Sequence, residues 1–225
     1  MVRNILKTEK MINSFFFKDR EQAGEELASR LTEMRGTNSV VLAIPRGGLP
    51  LGAILSKRLG LPLDVVLTKK IGHPYNKEYA IGAVSLKGRI LEAQASEADK
   101  AYIESETARI RTLLQERYAQ YHKKREALQI LGRKVILVDD GIATGSTMLA
   151  TVDLLHQEGA EEIILAIPVS PPSSVRRLSK AAHVDRVVCL YQPHDFYAIG
   201  QYYQNFGQVS DEEAIALLEG TSLVS

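Results

Sequence analysis

The sequence predicts an α/β protein with a mostly parallel, twisted sheet flanked by helices. Short apolar runs without polar interruptions favour this class, because parallel strands are buried on both faces. Segments with helical periodicity separate these runs, so strands and helices alternate along the chain. The composition is that of a globular protein, with 45% hydrophobic and 24% charged residues. We therefore interpret residues 1–225 as a single domain.

The predicted elements follow from periodicity and from the residues that end each segment. Ala23, Leu27, Leu31 and Met34 recur at helical spacing, and Gly60 ends the second helix. Strands are predicted at 39–44, 64–68, 135–138, 163–169 and 187–190. Helices are predicted at 19–34, 49–59, 96–128, 146–157, from Pro171 onward and from Asp211 onward. A hairpin is predicted at 80–91, with its turn at Lys87 and Gly88.

Three segments lie outside this alternation. Residues 71–79 contain Gly72, Pro74 and Asn76, and we interpret them as a mobile loop. The second segment is a long polar helical insertion at about 96–130, which Ser96 and Asp99 open as a capping box. Its basic run at 122–125 is typical of a solvated face. The third is a C-terminal tail at about 192–225.

Charge and cysteine content exclude several classes. The formal net charge is +1, from 28 basic and 27 acidic residues, so no nucleic-acid partner is expected. No apolar stretch approaches the ~18 residues of a membrane span, and Phe15–Phe17 is too short for a signal-peptide core. We therefore expect no membrane partner and a cytoplasmic protein. The single cysteine, Cys189, excludes an intrachain disulfide and is expected to be a buried strand thiol.

The segment 135–147 carries the strongest functional signal. Four apolar residues are followed by Asp139 and Asp140, and then by a turn of small and hydroxyl residues that enters a helix. Small residues let backbone N–H groups approach an anion, and the N-terminus of a helix adds partial positive charge. The hydroxyls of Thr144, Ser146 and Thr147 add hydrogen-bond donors. The pattern predicts a phosphate in the turn, with the acids close to hydroxyls or to a metal.

This segment has two other interpretations. A strand that ends in two acids could be the magnesium-binding strand of a phosphate-binding-loop NTPase, but the G-x-x-x-x-G-K-[ST] motif of that class is absent. A G-x-G-x-x-G dinucleotide motif is absent as well. A purely structural turn would hardly place two acids, two glycines and three hydroxyl residues within nine positions.

A second candidate follows the first strand, at Arg46, Gly47 and Gly48. An arginine fork beside two glycines suits a diphosphate, because it donates two parallel hydrogen bonds. Arg-Gly-Gly is common in ordinary turns, so the tripeptide alone does not indicate a binding site. Its position at the carboxyl end of a buried strand does, because ligands bind at that edge of a parallel sheet. Lys70 ends the second predicted strand and is either solvated or a ligand.

The segment 135–147 resembles the binding signature of type I phosphoribosyltransferases. The resemblance implies that Asp139 and Asp140 hold the ribose hydroxyls of 5-phosphoribosyl-1-pyrophosphate, directly or through Mg²⁺. It also implies that the turn holds the 5-phosphate, and the substrate-binding residues would be Gly141, Ile142, Ala143, Thr144, Gly145, Ser146 and Thr147.

The resemblance extends through most of the chain. It makes Arg46, Gly47 and Gly48 the pyrophosphate loop, and it places Lys70 close to the pyrophosphate. Residues 71–79 lie where the family carries its mobile catalytic loop, and His73 is a candidate for a general acid. Among the aromatic residues of the tail, Phe196 is a candidate for stacking on a planar base, whereas core packing is favoured for Tyr197.

The implied function is phosphoribosyl transfer in nucleotide metabolism. Attack on ribose C1 by a nitrogenous acceptor, expected to be a nucleobase, would release pyrophosphate. No segment marks an adenine, hypoxanthine, orotate or uracil enzyme, so the acceptor is left open. A regulatory module that binds the donor without catalysis and a magnesium-dependent phosphohydrolase are the alternatives. Whether the protein forms a homodimer is left open as well.

Overall fold

The computed structural model describes residues 16–123 and 126–221. The helices are α1 (Arg20–Ser29), α2 (Gly48–Leu59), α3 (Lys100–His122), α4 (Ser146–Gln157), α5 (Pro172–Leu178) and α6 (Asp211–Gly220). The strands are β1 (Ser39–Ala43), β2 (Leu63–Val65), β3 (Lys69–His73), β4 (Asn76–Val84), β5 (Arg89–Leu91), β6 (Lys134–Val138), β7 (Glu162–Val169) and β8 (Arg186–Tyr191). Short 3₁₀ turns occur at Thr32–Met34, Ala93–Glu97 and Ile199–Tyr202.

The predicted parallel sheet is confirmed. Five parallel strands lie in the order β2-β1-β6-β7-β8. All five residues of β1 are buried, as are all but the first residue of β6 and of β7. These strands are rich in Val, Ile and Leu, whose side chains pack well on both faces of a pleated surface.

Each face of the sheet has its own hydrophobic core. Alternate residues along a strand point to opposite faces, so Val41 and Ala43 belong to one core and Val40 and Leu42 to the other. The first core contains apolar residues of α1, α2 and α6, and the second contains those of α4 and α5. The sheet is thus covered on both sides, as the sequence predicts.

The strand order reverses between β1 and β6. From β1 the chain passes through α2 to β2, whereas from β6 it passes through α4 to β7 on the other side. Ala43 and Val138, the last residues of β1 and β6, are paired in register. A crevice at the carboxyl ends of the strands forms where the strand order reverses, and ligands bind there in open α/β sheets.

The interpretation of residues 71–79 as an irregular loop is wrong. They form most of a β-hairpin, in which β3 and β4 pair antiparallel around a turn at Pro74 and Tyr75. Gly72 permits this pairing, because a Cβ atom at its position would lie 2.5 Å from the carbonyl oxygen of Lys77. These strands belong to a small three-stranded sheet, β3-β4-β5, and the buried side chain of Ile71 joins it to the first hydrophobic core.

The second predicted strand is shorter than expected. β2 ends at Val65, and Lys70 lies inside β3 instead of at the end of a strand of the parallel sheet. The hairpin predicted at 80–91 is confirmed, since β4 pairs with β5 across the turn that contains Lys87. Lys70 is paired with Ala83, so cross-strand hydrogen bonding fixes the backbone at this position.

The long polar helix is confirmed as α3, although its start differs from the prediction. Asp99 is the N-cap and accepts a hydrogen bond from the N–H of Ala101, whereas the Ser96 hydroxyl donates to the carbonyl of Ala93 in a 3₁₀ turn. The assignment of residues 122–125 to a solvated face is wrong for His122, which is buried. Residues 124 and 125 lie outside the described residues.

His122 is buried because it packs on β2. Its Nε2 atom lies 2.8 Å from Oδ1 of Asp64, and its ring stacks on Tyr118 with centroids 3.9 Å apart. The other Asp64 oxygen accepts from the N–H of Leu128 at 2.8 Å. A buried polar pair therefore anchors the end of the insertion to the parallel sheet.

The C-terminal tail packs back onto the start of the domain. Phe17 forms a parallel β-bridge with Tyr203, whose ring is buried against it. The helix predicted from Asp211 is confirmed as α6, with Ser210 as its N-cap. None of the helices within the described ranges is both long enough and apolar enough to cross a membrane.

Candidate active site

The two predicted binding loops meet where the strand order reverses. A Cβ atom at Gly47 would lie 2.2 Å from Oδ2 of Asp140, and one at Gly48 would lie 2.6 Å from the carbonyl oxygen of Val138. Both distances are far below van der Waals contact, so only glycine lets the loop after β1 pack on the loop after β6. The structure thus joins two sequence motifs that are about ninety residues apart.

The acidic pair lies at the carboxyl end of β6. Asp139 is half-buried, and its Oδ1 atom accepts a hydrogen bond from the Asp140 N–H at 2.9 Å. Burial, and then the negative charge of Asp140, raise the pKa of the Asp139 carboxyl well above its usual value. Burial also raises the pKa of Asp140, while the Arg20 guanidinium opposes that rise.

Arg20 is a partner of Asp140 that the sequence did not indicate. Its Nε and Nη2 atoms lie 2.9 and 2.8 Å from Oδ2 of Asp140. Arg20 is the first residue of α1 and follows the N-cap Asp19, so its local pattern is that of an ordinary helix start. Only the tertiary packing of α1, on α2 and on β7, brings it to the acidic loop.

The turn after the acids leads into the N-terminus of α4. Gly145 has φ of 77°, a left-handed conformation that favours glycine, and it is the N-cap of α4. Ala143, Thr144 and Thr147 are exposed, so their backbone and hydroxyl groups are open to a ligand. The side chain of Ile142 is buried, which leaves its backbone as the part that could contribute to binding.

α5 holds this turn through side-chain hydrogen bonds. The hydroxyl of Ser174 donates to the carbonyl of Ala143 at 2.6 Å, and Nη1 of Arg177 lies 3.4 Å from the carbonyl of Thr144. Gly141 is tightly packed on the other side, because an added Cβ would lie 2.6 Å from Ile199. The turn is therefore held by two separate parts of the chain, α5 and the last 3₁₀ turn.

Arg46 lies in the loop that follows the carboxyl end of β1. The peptide bond between Pro45 and Arg46 is cis. Nη1 of Arg46 is 3.5 Å from Oδ1 of Asp211, the first residue of α6, and the Tyr121 hydroxyl donates to the same oxygen at 3.4 Å. Sequence reasoning did not place Asp211 here, because this contact depends on how the tail folds back.

The hairpin residues Lys70 and His73 are not joined to the acidic loop. Lys70 is exposed on β3. Nδ1 of His73 accepts from the N–H of Tyr75 at 3.3 Å, and its ring lies beside those of Tyr75 and Tyr79. Within residues 16–123 and 126–221, no hydrogen bond or ion pair connects either side chain to Asp139 or Asp140.

The two aromatic candidates of the tail have opposite environments. Phe196 is half-buried and packs against the core, with its ring 5.5 Å from that of Tyr202 at 24°. Tyr197 is 88% exposed, so the expectation that it packs into the core is wrong. Its exposure follows from its position in the irregular segment between β8 and the last 3₁₀ turn.

The donor set is compatible with magnesium held jointly with a bound phosphate. In the described part of the chain, no group of three or more His, Cys, Asp or Glu side chains could hold a metal ion. Mg²⁺ commonly binds one or two carboxylates and takes its other oxygens from water and substrate phosphates. Asp139 fits this role, because its desolvated carboxylate has no ion-pair partner among the described residues.

The chain is similar to known proteins along most of its length. The phosphoribosyl transferase domain model matches residues 17–204. A Mycobacterium tuberculosis protein whose name assigns it as a phosphoribosyl transferase is 39% identical over 207 residues, which cover 90% of this chain and 46% of that protein. The chain thus spans about half the length of such curated relatives.

Two further comparisons bear on the fold and the domain. A crystal structure of a Thermus thermophilus protein has a TM-score of 0.81 and 42% identity, and covers 90% of this chain and 97% of that one. A ribose-phosphate pyrophosphokinase of Pyrococcus furiosus is 33% identical over 95 residues, 37% of this chain and 34% of the enzyme. The domain match and the identity of these relatives show that the chain belongs to the phosphoribosyltransferase family.

Proposed function

We propose that this chain transfers the 5-phosphoribosyl group of 5-phosphoribosyl-1-pyrophosphate to a nitrogenous acceptor, with Mg²⁺, and releases pyrophosphate. The observation that carries the proposal is the contact of Gly47 with Asp140. Through this contact, the loop of Arg46, which suits a diphosphate, lies against the loop that carries the two carboxylates. The second loop continues into the turn that is proposed to hold a phosphate. A donor with a phosphate, a ribose and a diphosphate needs these three features side by side.

Each part of the donor has a proposed binding group. The N-terminus of α4, with Thr144, Ser146 and Thr147, would receive the 5-phosphate, since a helix N-terminus favours anions. The acidic loop would receive the ribose hydroxyls. Arg46 would bind the diphosphate through its guanidinium fork, and Lys70 is a second candidate for that role.

The proposed reaction breaks the bond between ribose C1 and the pyrophosphate oxygen while the acceptor nitrogen bonds to C1. Positive charge develops on the ribose ring, and the carboxylate of Asp139 would stabilise it electrostatically. Negative charge develops on the leaving pyrophosphate, where Arg46 would act. Magnesium, when bound, would neutralise part of that leaving-group charge.

The acceptor is proposed to be a planar nucleobase that reaches the site from the side of the tail. The segment 192–197 follows β8, and the carboxyl ends of parallel strands share one edge of the sheet. Phe196 remains the candidate for stacking, and its packing on Tyr202 would hold the ring in place. The cytoplasmic location and the role in nucleotide metabolism stay predictions.

Calorimetry and a turnover assay test the proposal. The donor should bind in the presence of Mg²⁺, and one nucleobase in a screen should release pyrophosphate and form a nucleotide. Replacing both acids, Asp139→Asn with Asp140→Asn, should weaken donor binding roughly ten- to hundredfold through lost charge-assisted hydrogen bonds. Asp153→Asn, a change in the middle of α4, serves as the matched control and should leave binding unchanged.

The same measurements separate the alternatives. Tight donor binding without turnover on any base would indicate a regulatory donor-binding module. Free phosphate without nucleotide would indicate a phosphohydrolase. Unchanged donor affinity in the folded double variant would reject the assignment of the acidic loop.

A further inference from the structure

The two adjacent acids differ in their surroundings. Both Arg20–Asp140 contacts end on the same oxygen, Oδ2 of Asp140, and the two side chains are only 12% and 11% exposed. By contrast, no described cation lies within ion-pair distance of Asp139. Two acids that look equivalent in the sequence are therefore one paired and one unpaired carboxylate.

The paired oxygen faces the proposed diphosphate loop. Oδ2 of Asp140 is the atom that a Cβ at Gly47 would approach to 2.2 Å. A carboxylate in that position would repel a diphosphate bound at Arg46 and Gly47 if its charge were not compensated. The Arg20 guanidinium compensates it, at 2.8 Å, from the side of α1.

Arg20 and Asp140 are also fixed by the tail. Nη1 of Arg20 donates to the carbonyl of Gly207 at 2.8 Å, and its guanidinium lies 3.9 Å above the ring of Phe206. The hydroxyl of Tyr203 donates to the backbone carbonyl of Asp140 at 2.7 Å. The pair thus connects α1, the acidic loop and the tail in one network of hydrogen bonds.

The position of Arg20 in its own helix has no local advantage. It is the first residue of α1, where the positive end of the helix dipole disfavours a cation. The contact with Asp140 offsets that disadvantage, so the residue is explained by its tertiary partner and not by the helix.

We propose that Arg20 is a positioning residue that neutralises and fixes Asp140 beside the diphosphate loop, and that Asp139 alone is the ligand carboxylate of the acidic pair. The inference rests on the proposed function and deepens it. Arg20 acts through Asp140 and does not touch the donor. Without Arg20, the uncompensated charge of the Asp140 carboxylate should therefore repel the diphosphate. When the charges of both Arg20 and Asp140 are removed, this repulsion should disappear.

Pyrophosphate and ribose 5-phosphate, titrated separately in the presence of Mg²⁺, test this division of roles. Arg20→Gln should weaken pyrophosphate binding about tenfold or more, and should affect ribose 5-phosphate much less. The double variant Arg20→Gln with Asp140→Asn should bind pyrophosphate within about threefold of the wild type. Arg20→Lys keeps the positive charge and should recover most of the affinity that Arg20→Gln loses.

Two controls make the test independent of folding. Arg58→Gln breaks an exposed Arg–Glu pair with Glu25 at the opposite end of α2, and it should leave pyrophosphate affinity unchanged. All titrations are made at a temperature well below the melting temperature of each variant. If the Arg20–Asp140 pair were merely structural, its loss would lower the melting temperature without selectively weakening pyrophosphate binding.

The outcomes separate this inference from the proposed function. If Asp140→Asn weakens magnesium-dependent pyrophosphate binding as strongly as Asp139→Asn does, Asp140 is itself a ligand and the inference is wrong. It is also wrong if the effects of Arg20→Gln and Asp140→Asn simply add. A wild-type protein that binds neither pyrophosphate nor ribose 5-phosphate would overturn the proposed function and this role with it.

Discussion

Replacing Gly47 with Ala tests the contact that joins the two candidate binding loops. The backbone of Gly47 has φ of −60° and ψ of −32°, which alanine adopts without strain. The added Cβ, however, would lie 2.2 Å from Oδ2 and 2.5 Å from Cγ of Asp140. The change is therefore purely steric, and it acts at one carboxylate.

The size of the effect follows from the bonds that hold Asp140. The carboxylate must move by more than an ångström to reach ordinary contact distance, and Arg20 holds it through contacts of 2.8 and 2.9 Å. Overpacking costs ~1–3 kcal/mol, and loss of a hydrogen bond to a charged group costs ~1.5–3 kcal/mol. We expect Gly47→Ala to lower the free energy of unfolding by about 2.5–6 kcal/mol, the sum of the two costs, and pyrophosphate affinity by about tenfold or more.

Urea unfolding and calorimetry with pyrophosphate and Mg²⁺ measure the two effects. Gly220→Ala is the matched control, because a Cβ at Gly220 meets no atom within 4 Å. Its unfolding midpoint and pyrophosphate affinity should stay close to those of the wild type. The reasoning is refuted if Gly47→Ala behaves like Gly220→Ala in both measurements.

Three further predictions concern other parts of the molecule. His122→Ala removes a buried hydrogen-bond partner of Asp64 and should cost ~1–3 kcal/mol in urea unfolding, whereas the exposed His156→Ala should cost little; equal unfolding midpoints for the two variants would contradict the buried pair. Burial raises the pKa of Cys189 to about 12, so at pH 8 a thiol reagent should label the native protein far more slowly than the protein in guanidinium, and equal rates would be evidence against burial. Arg46→Ala should weaken pyrophosphate binding more than ribose 5-phosphate binding in calorimetry, because only the former offers a diphosphate to the guanidinium fork; an equal loss would count against a pyrophosphate loop.

Local patterns determined the main features of the fold. The apolar runs that became β1, β6 and β7 are buried on both faces, and such runs are recognisable without knowledge of their neighbours. The start of α4 at Ser146 followed from turn and helix chemistry within a few residues. The candidate binding loops were predictable for the same reason, since each is a contiguous motif at the end of a strand.

The hairpin and the buried histidine were not predictable in this way. Residues 71–79 have the glycine, proline and polar content of a loop, and only pairing with a second strand makes them extended. His122 stands in a basic run typical of a solvated face, yet β2 supplies the carboxylate that makes its burial favourable. In both cases the deciding partner lies elsewhere in the chain, so local composition gives the opposite answer.

The sequence by itself determined an α/β domain, its alternating elements and the two motifs that could bind anions. The tertiary structure alone decided that these motifs touch through Gly47, and that Arg20 pairs with Asp140 across 120 positions of the chain. The reason is physical. Helical and strand periodicity depend on nearest neighbours, whereas the charge environment of a carboxylate depends on whichever side chains packing brings within a few ångströms.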